Sequence, residues 1–500
     1  MDEKVIAGVD IGSTNVRVVL GKLATQEPQE IEILGAGQVP LTEGVIKGAI
    51  SNINKTVDAV RRAMDEAVRD AGAEPDAVNA SVAGRQLRCW SKHGSITRKP
   101  EEGNEVKVSD VQRLFRDISL TPVESGTTIV HVLPQEYTVE GGFVGECYDA
   151  VGSTGSIVSA DFQLISVPSP ILDNLKVSLS KAGLVRPGRP QPNVVLASLA
   201  ASMSVLSEVE KDAGVALIDI GGGTTNLVII QKRIIRHVAT FPFGGNTITL
   251  DIERGCRVLH NQAELLKTKF GEALHKDVSL GEVIAVPNIM PGTTKDISAK
   301  NLAIIIETRL KEIAVMIAAE IARVGYEDKI TAGVVLTGGA VQLNNAPELF
   351  RRVMRRQEVR IGLPTLHVAR NAERVNSPAF ATAVGLVLRG FHSLDQREDD
   401  YERKLQVEEA RTAYEPPRPN GHEASGPKPP VPAEPTPKQP FGFGGLGGRL
   451  LGNRNPAPAP KPEPEPVEET APTASKPGFF SRFFNGLLFD DIGEDDRFKS

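Results

Sequence analysis

One short motif occurs twice in this chain, and it limits the fold more than any other feature. The first copy is Asp10-Ile11-Gly12-Ser13-Thr14-Asn15; the second is Asp219-Ile220-Gly221-Gly222-Gly223-Thr224-Thr225-Asn226. Each follows an apolar run (Val5 to Val9; Val215 to Ile218) and precedes another (Val16 to Leu20; Leu227 to Ile230), so each reads as a β-hairpin with a turn of glycine and small hydroxyl residues. Glycine lets successive N–H groups approach an anion closely. Ser and Thr add hydroxyl donors. An Asp at the strand end can hold hydrated Mg²⁺, which takes only one or two carboxylates. Two such turns facing each other would clamp a triphosphate. Neither a G-x-x-x-x-G-K-[ST] signature nor, at the first turn, a Rossmann fingerprint is present.

A third element agrees with this. Val334 to Leu336 reads as a buried strand leading into Thr337-Gly338-Gly339-Ala340, where paired glycines let a flat ring or a ribose lie against the backbone. Ile50 to Ala71 reads as a helix with Ile53, Val57, Val60, Met64, Ala67 and Val68 at helical spacing, ended by Gly72, and Ile304 to Val324 reads as a second long helix. Strands and helices alternate with Gly-bearing turns up to about residue 395, the pattern of an α/β body.

Two Asp-x-Gly turns and a late Gly-Gly turn resemble the actin, Hsp70 and sugar-kinase superfamily. Within it, Gly44-Val45-Ile46-Lys47-Gly48, His131-Val132-Leu133-Pro134-Gln135-Glu136-Tyr137 and Ala263-Glu264-Leu265-Leu266-Lys267 resemble the FtsA family of bacterial cell-division proteins. The likeness covers roughly residues 4 to 392. It implies an α/β, actin-like two-lobed ATPase fold with an inserted subdomain 1C of the SHS2 type. The subdomain 1A would span residues 1–83, 168–200 and 371–395, 1C residues 84–167, 2A residues 201–242 and 329–370, and 2B residues 243–328.

The resemblance also implies ATP and Mg²⁺ as cofactors. Asp10, Gly12, Ser13, Thr14 and Asn15 would meet phosphate and metal. Gly221, Gly222, Gly223, Thr224 and Thr225 would form the opposing clamp, with Asp219 near Mg²⁺. Gly338, Gly339 and Ala340 would meet adenosine, and Lys267 would reach the nucleotide from 2B; Glu264 is a weaker candidate there. The implied partners are the C-terminal tail of FtsZ through 2B, further copies of the chain in a polymer, inner-membrane lipids and later division proteins, with no nucleic acid. The implied place is the cytoplasmic face of the inner membrane. Departures from the family pattern are Asn226, where the family usually has Asp, the segment Asn193 to Ala200 without a Glu-Pro, and the stretch Glu146 to Ser153 in 1C. Neutral Asn is a poorer base, so holding ATP is expected, while its hydrolysis stays open and would be weak at most.

Composition changes after residue 395. About half of the 35 prolines fall between Pro416 and Pro477, so residues 396–475 read as an extended, solvated linker. Beyond it, residues 476–489 read as an amphipathic helix: Phe479, Phe480, Phe483, Phe484, Leu487 and Leu488 share one face, and Ser481, Arg482 and Asn485 lie opposite. Such a helix would lie in a membrane interface, weakly alone and more firmly when polymerisation presents many copies. The acidic residues Asp490, Asp491, Glu494, Asp495 and Asp496 in the tail, residues 490–500, favour the alternative, a helix docking in a protein groove. Phe441 to Leu451 forms a second, Gly-rich apolar island.

Other features exclude more than they suggest. A net charge of −6 gives no sign of broad nucleic-acid binding, and Arg351, Arg352, Arg355 and Arg356 read as a solvated helix face. Three scattered cysteines suit a reducing compartment. No leader-like N-terminus and no run of about 18 apolar residues is present, so the chain is expected to meet a membrane only from the cytoplasmic side. Trp90 and the eight histidines show no catalytic arrangement. A sugar-type kinase of the same superfamily would need a base facing its substrate, and an Hsp70-like chaperone would need a folded domain after residue 395.

Overall fold

The computed structural model describes residues 4–24, 30–99, 103, 105–140, 146–287, 292–356, 358–398 and 401. The linker from residue 402, the apolar island and the C-terminal helix with its acidic tail lie outside the described residues.

The chain builds the same five-stranded sheet twice. In lobe one, β1 (Ile6–Ile11), β2 (Asn15–Leu23) and β3 (Ile31–Pro40) form an antiparallel meander. A small hairpin of β4 (Val45–Ile46) and β5 (Ala49–Ile50) leads into helix α1 (Ile53–Ala71). The helix starts later than the sequence pattern suggests because the side chain of Asn52 accepts from Lys55 N and caps it, leaving Ile50 in a strand. It ends as expected at Gly72, whose φ of 63° closes the C-terminus. Strand β6 (Ala77–Val82) then returns parallel to β1.

An inserted module follows: β7 (Arg88–Thr97), α2 (Val108–Ser119), β8 (Thr127–Glu140), β9 (Glu146–Cys147) and β10 (Ile157–Pro168), with sheet order β7-β10-β8-β9 and its own core around Leu114, Tyr137, Phe162 and Leu164. Helix α3 (Ser169–Lys181) returns to lobe one, where β11 (Asn193–Leu196) pairs parallel with β6. Helix α4 (Ala197–Val205) crosses the boundary expected at residue 200, and the short α5 (Glu208–Ala213) follows it.

Lobe two repeats the plan. Strands β12 (Val215–Ile220), β13 (Thr225–Gln231) and β14 (Ile234–Phe241) form the meander. Helices α6 (Gly245–Cys256) and α7 (His260–Phe270) and the hairpin of β15 (Val283–Pro287) and β16 (Thr294–Ser298) are inserted before α8 (Ala299–Arg323). The α8 helix begins before Ile304 because Ser298 caps it. It buries Leu302, Ile306, Leu310, Ile313 and Ile317 along one face, each worth about 2 kcal/mol of apolar burial. Strand β17 (Val334–Thr337) is parallel to β12, α9 (Ala346–Met354) follows, and β18 (Val359–Ile361) is parallel to β17. Strand β19 (Val368–Arg370) extends the first sheet beside β3, and α10 (Ala381–Arg389) packs on α4.

The orders β3-β2-β1-β6-β11 and β14-β13-β12-β17-β18 therefore correspond strand for strand. A single apolar cluster runs from Val9, Val16 and Val18 of lobe one through Leu199 and Val205 of α4 to Leu217, Val228 and Val335 of lobe two, so the lobes share a buried base.

One sequence expectation needs correction. Arg397 is not a solvated linker residue: it is 1% exposed, and Tyr401 is buried in the core of the inserted module. The four arginines near α9 keep the solvated face expected of them, with Arg352 and Arg355 exposed. Arg351 and Arg352 pair with Glu348, and Arg356 donates to Glu327 O and Ile330 O. Among the described residues, no helix is long and apolar enough to cross a membrane.

Candidate nucleotide and metal site

The two Asp-Ile-Gly turns are the same turn. Gly12 N donates to Asn15 O at 3.0 Å, and Gly221 N donates to Thr224 O at 2.9 Å. Asn15 thus corresponds to Thr224. The strand register carries the match onward: Asp10 faces Arg17, and Asp219 faces Asn226. Asn15 and Asn226 are not counterparts; Arg17 and Asn226 are.

Partners directly opposite each other in a sheet share a face. In lobe one this sets Ser81, Asp10, Arg17 and Gln38 in a row: Ser81 Oγ donates to Asp10 Oδ1 at 2.9 Å, and Arg17 Nε donates to Gln38 Oε1 at 2.9 Å. In lobe two the row is Thr337, Asp219, Asn226 and Thr240. Asn226 Nδ2 donates to Asp219 Oδ2 at 3.4 Å, and Thr240 Oγ1 donates to Asn226 Oδ1 at 2.9 Å.

The turns abut. A Cβ on Gly222 would lie 2.6 Å from Thr14 Cγ2, so only glycine permits the approach. Ser13 Oγ accepts from Gly48 N at 3.2 Å, which ties the Gly44–Gly48 segment to the first turn, and Lys47 Nζ reaches 5.9 Å from the centre of the Phe243 ring in lobe two. The second turn is anchored behind: Gly245 N and Asn246 N of α6 donate to Gly221 O and Gly222 O. Thr224 is buried, and the Thr225 hydroxyl is committed to Phe243 O at 2.9 Å, so Thr225 shapes the turn.

The third motif joins them through β17, where Thr337 faces Asp219. Gly338 has φ of 90°, and a Cβ there would lie 2.4 Å from Asp219 Oδ1. Gly339 faces open space, and Ala340 is buried. Lys267, only 8% exposed, donates to Gly245 O at 3.2 Å, Thr249 Oγ1 at 2.8 Å and Glu264 Oε2 at 2.6 Å. A Cβ on Gly245 would sit 3.4 Å from both Lys267 Nζ and Ala340 Cβ, so α7 and the third motif meet at the start of α6. Glu264 is not a free helix-face residue; it holds Lys267 and accepts from Thr249.

Burial pushes the Asp10 carboxyl above its usual range against the pull of Arg17 and Ser81. Asp219 rises to about 6, through burial and then repulsion from Asp10; the Asn226 amide and Arg17 work the other way. Burial in turn lowers Arg17, and both aspartates raise it. The site thus holds two desolvated carboxylates and one arginine whose charge acts on both, a deficit of positive charge. A hydrated divalent cation fits that deficit, since Mg²⁺ keeps several waters and needs few carboxylates. Among the described residues no cluster of three or more His, Cys, Asp or Glu forms a metal cage.

Sequence reading missed Arg17, Ser81, Gln38 and Thr240. The signal for Arg17 was present: 17 − 10 and 226 − 219 are both seven, so each row member follows its aspartate at the same spacing. Ser81 carried no such mark, because it comes from the parallel strand beside β1.

Comparison with known proteins agrees with this architecture. A model of the cell division protein FtsA matches residues 216–385, and one of the SHS2 domain inserted in FtsA matches residues 84–166. The chain is 32% identical to the cell division protein FtsA of Pseudomonas aeruginosa over 388 residues, covering 78% of this chain and 89% of that one. It is 31% identical to FtsA of Bacillus subtilis, covering 77% of this chain and 83% of that one. Among solved structures, the PilM–PilN type IV pilus biogenesis complex aligns with a TM-score of 0.54 at 15% identity, over 78% of this chain and 99% of that one, a likeness of fold.

Proposed function

Because this chain belongs to the FtsA family, as an actin-like cell-division protein, we propose that it binds ATP with Mg²⁺ between its two polar rows and uses the bound state to assemble on a membrane. The observation that carries the reading is that the two Asp-bearing turns abut, with Gly338 against Asp219 and Lys267 held at the start of α6 that anchors the second turn. The N–H groups and hydroxyls of Gly12 to Asn15 and Gly221 to Thr224 would grip the phosphates, Gly338 to Ala340 would receive the adenosine, and Lys267 would approach the nucleotide from α7. When bound, Mg²⁺ would supply the positive charge that offsets two carboxylates and the phosphates.

The chain is at most a weak ATPase in this reading. Asn226 spends its amide nitrogen on Asp219 and its oxygen on Thr240, so it has no capacity to take a proton from water. Phosphate release compared between the unaltered chain and Asn226→Asp tests this, and equal rates would reject it.

Assembly would place many copies of Phe479, Phe480, Phe483, Phe484, Leu487 and Leu488 on the cytoplasmic face of the inner membrane, with the C-terminal tail of FtsZ meeting residues 243–328 and later division proteins following. Exposed Leu250 on α6, Leu259 just before α7, and Leu265 and Phe270 on α7 support a docking role for that region. Liposome co-sedimentation with Mg-ATP tests attachment: the full chain should pellet and one ending before Lys476 should stay in solution. Equal pelleting would reject the anchor, and failure of an FtsZ-tail peptide to bind with nucleotide present would reject that partner.

A further inference from the structure

The segment that follows α10 returns to the inserted module. Gln396 Nε2 donates to Glu208 at 2.8 Å, and its Oε1 accepts from Arg233 at 3.4 Å, so it spans α5 and the β13–β14 turn of lobe two. Arg397 enters the inserted module and donates to Pro134 O at 2.6 Å, Gln135 O at 2.7 Å and Tyr148 O at 3.1 Å. Its guanidinium lies 5.4 Å and 4.7 Å from the ring centres of Tyr137 and Tyr148. Tyr401 completes the module's core.

Two details give this strap a function beyond packing. First, Arg397 brings its own counter-ion: Asp395, two residues earlier, holds it at 2.5 Å, and both are buried. Withdrawing a buried arginine usually strands an unpaired carboxylate, which is costly. Here the ion pair leaves together, and the module loses donors to three carbonyls, which water can replace, along with two ring contacts and the packing of Tyr401. Second, Gln135 is shared. Its backbone oxygen takes Arg397, its Nε2 donates to Ile235 O of β14 at 3.0 Å, and its Oε1 accepts from Arg236 at 3.3 Å. Neighbouring Glu136 holds Arg236 through both oxygens at 2.5 Å. Strap and lobe two therefore both grip Gln135, and lobe two also holds its neighbour Glu136.

We infer that residues 391–398, with Tyr401, form a releasable strap that clamps the inserted module onto strand β14 of lobe two, and that pull on the chain beyond Tyr401 frees the module. The consequence for division rests on the proposed membrane attachment through the C-terminal helix; the clamp itself does not.

The test uses the full chain without nucleotide or lipid. Hydrogen exchange is followed in peptides covering residues 131–140 and 232–241, beside acrylamide quenching of Trp90, the single tryptophan, which lines a groove of about 650 Å³ between β7 and β14. Arg397→Gln should speed exchange about tenfold in both peptides and increase Trp90 quenching, with α1 and α8 unchanged. Gln396→Ala, at an exposed position, should give a smaller rise in the same two peptides. A change confined to residues 391–401, or a rise that spreads equally through α1 and α8, overturns the inference. If Arg397→Gln does not fold, Gln396→Ala decides it by the same peptides. Failure of the nucleotide reading would show separately, as no Mg-ATP stabilisation of the unaltered chain.

Discussion

Asn226→Asp is the most informative single change, because it alters charge at a buried row without altering shape. Asp219 already titrates near 6, well above its ordinary 3.8. Its protonated form is thus favoured in the folded chain, and the folded state loses stability as pH rises through that interval. The interval is worth about 3 kcal/mol. The substitution removes the 3.4 Å hydrogen bond that helps keep Asp219 ionised and sets a second carboxylate in its place. Two charges about 4 Å apart repel by about 4 kcal/mol at an effective dielectric of 20. The pair should avoid this by retaining one proton, which moves its upper titration still higher. Relative to the unaltered chain, the variant should lose under about 1 kcal/mol near pH 5.5 and about 3 kcal/mol near pH 8, in EDTA. Saturating Mg²⁺ should return part of the loss at the higher pH. Urea melts at the two pH values measure it. Equal destabilisation at both, or a variant as stable as its parent near pH 8, would refute the reasoning.

Three further outcomes follow from the same geometry. Lys267→Met should weaken ATP binding at least about tenfold in a titration, yet cost the fold only about 1 kcal/mol, because Glu264 is half-exposed and can be solvated. Arg17→Leu should raise the titration of both aspartates, so metal-dependent ATP binding, which needs them ionised, should move to higher pH; an unmoved midpoint would contradict the assigned row. Gly385→Ala should cost over about 3 kcal/mol in denaturant melts, since its Cβ would lie 1.7 Å from Ala200 O where α10 crosses α4.

Local chemistry explains what was legible. Each hairpin turn, its flanking strands and the Gly72 stop are written in a few adjacent residues, so motif and periodicity reveal them. The row partners are set by register between strand positions 14 to 71 residues apart: Thr240 reaches Asn226, Gln38 accepts from Arg17, and Ser81 reaches Asp10 from β6. Nothing adjacent marks them. Composition misled at Arg397, where a charge-rich stretch reads as solvated while one of its arginines is sealed between two tyrosines with its own aspartate. The partners of Glu264 were not legible either, because one of them is Thr249 of the preceding helix.

Nucleotide held against the Asp10 and Asp219 carboxylates is the central claim. The direct test is calorimetric titration of Mg-ATP into the full chain and into Asp10→Asn/Asp219→Asn. The unaltered chain should bind, with Mg²⁺ required, and ATP at about 100 times its Kd should stabilise it by about 2.7 kcal/mol. The double variant should lose the Mg²⁺ requirement along with most of the affinity. Binding of equal strength and equal metal dependence in both chains would contradict the account.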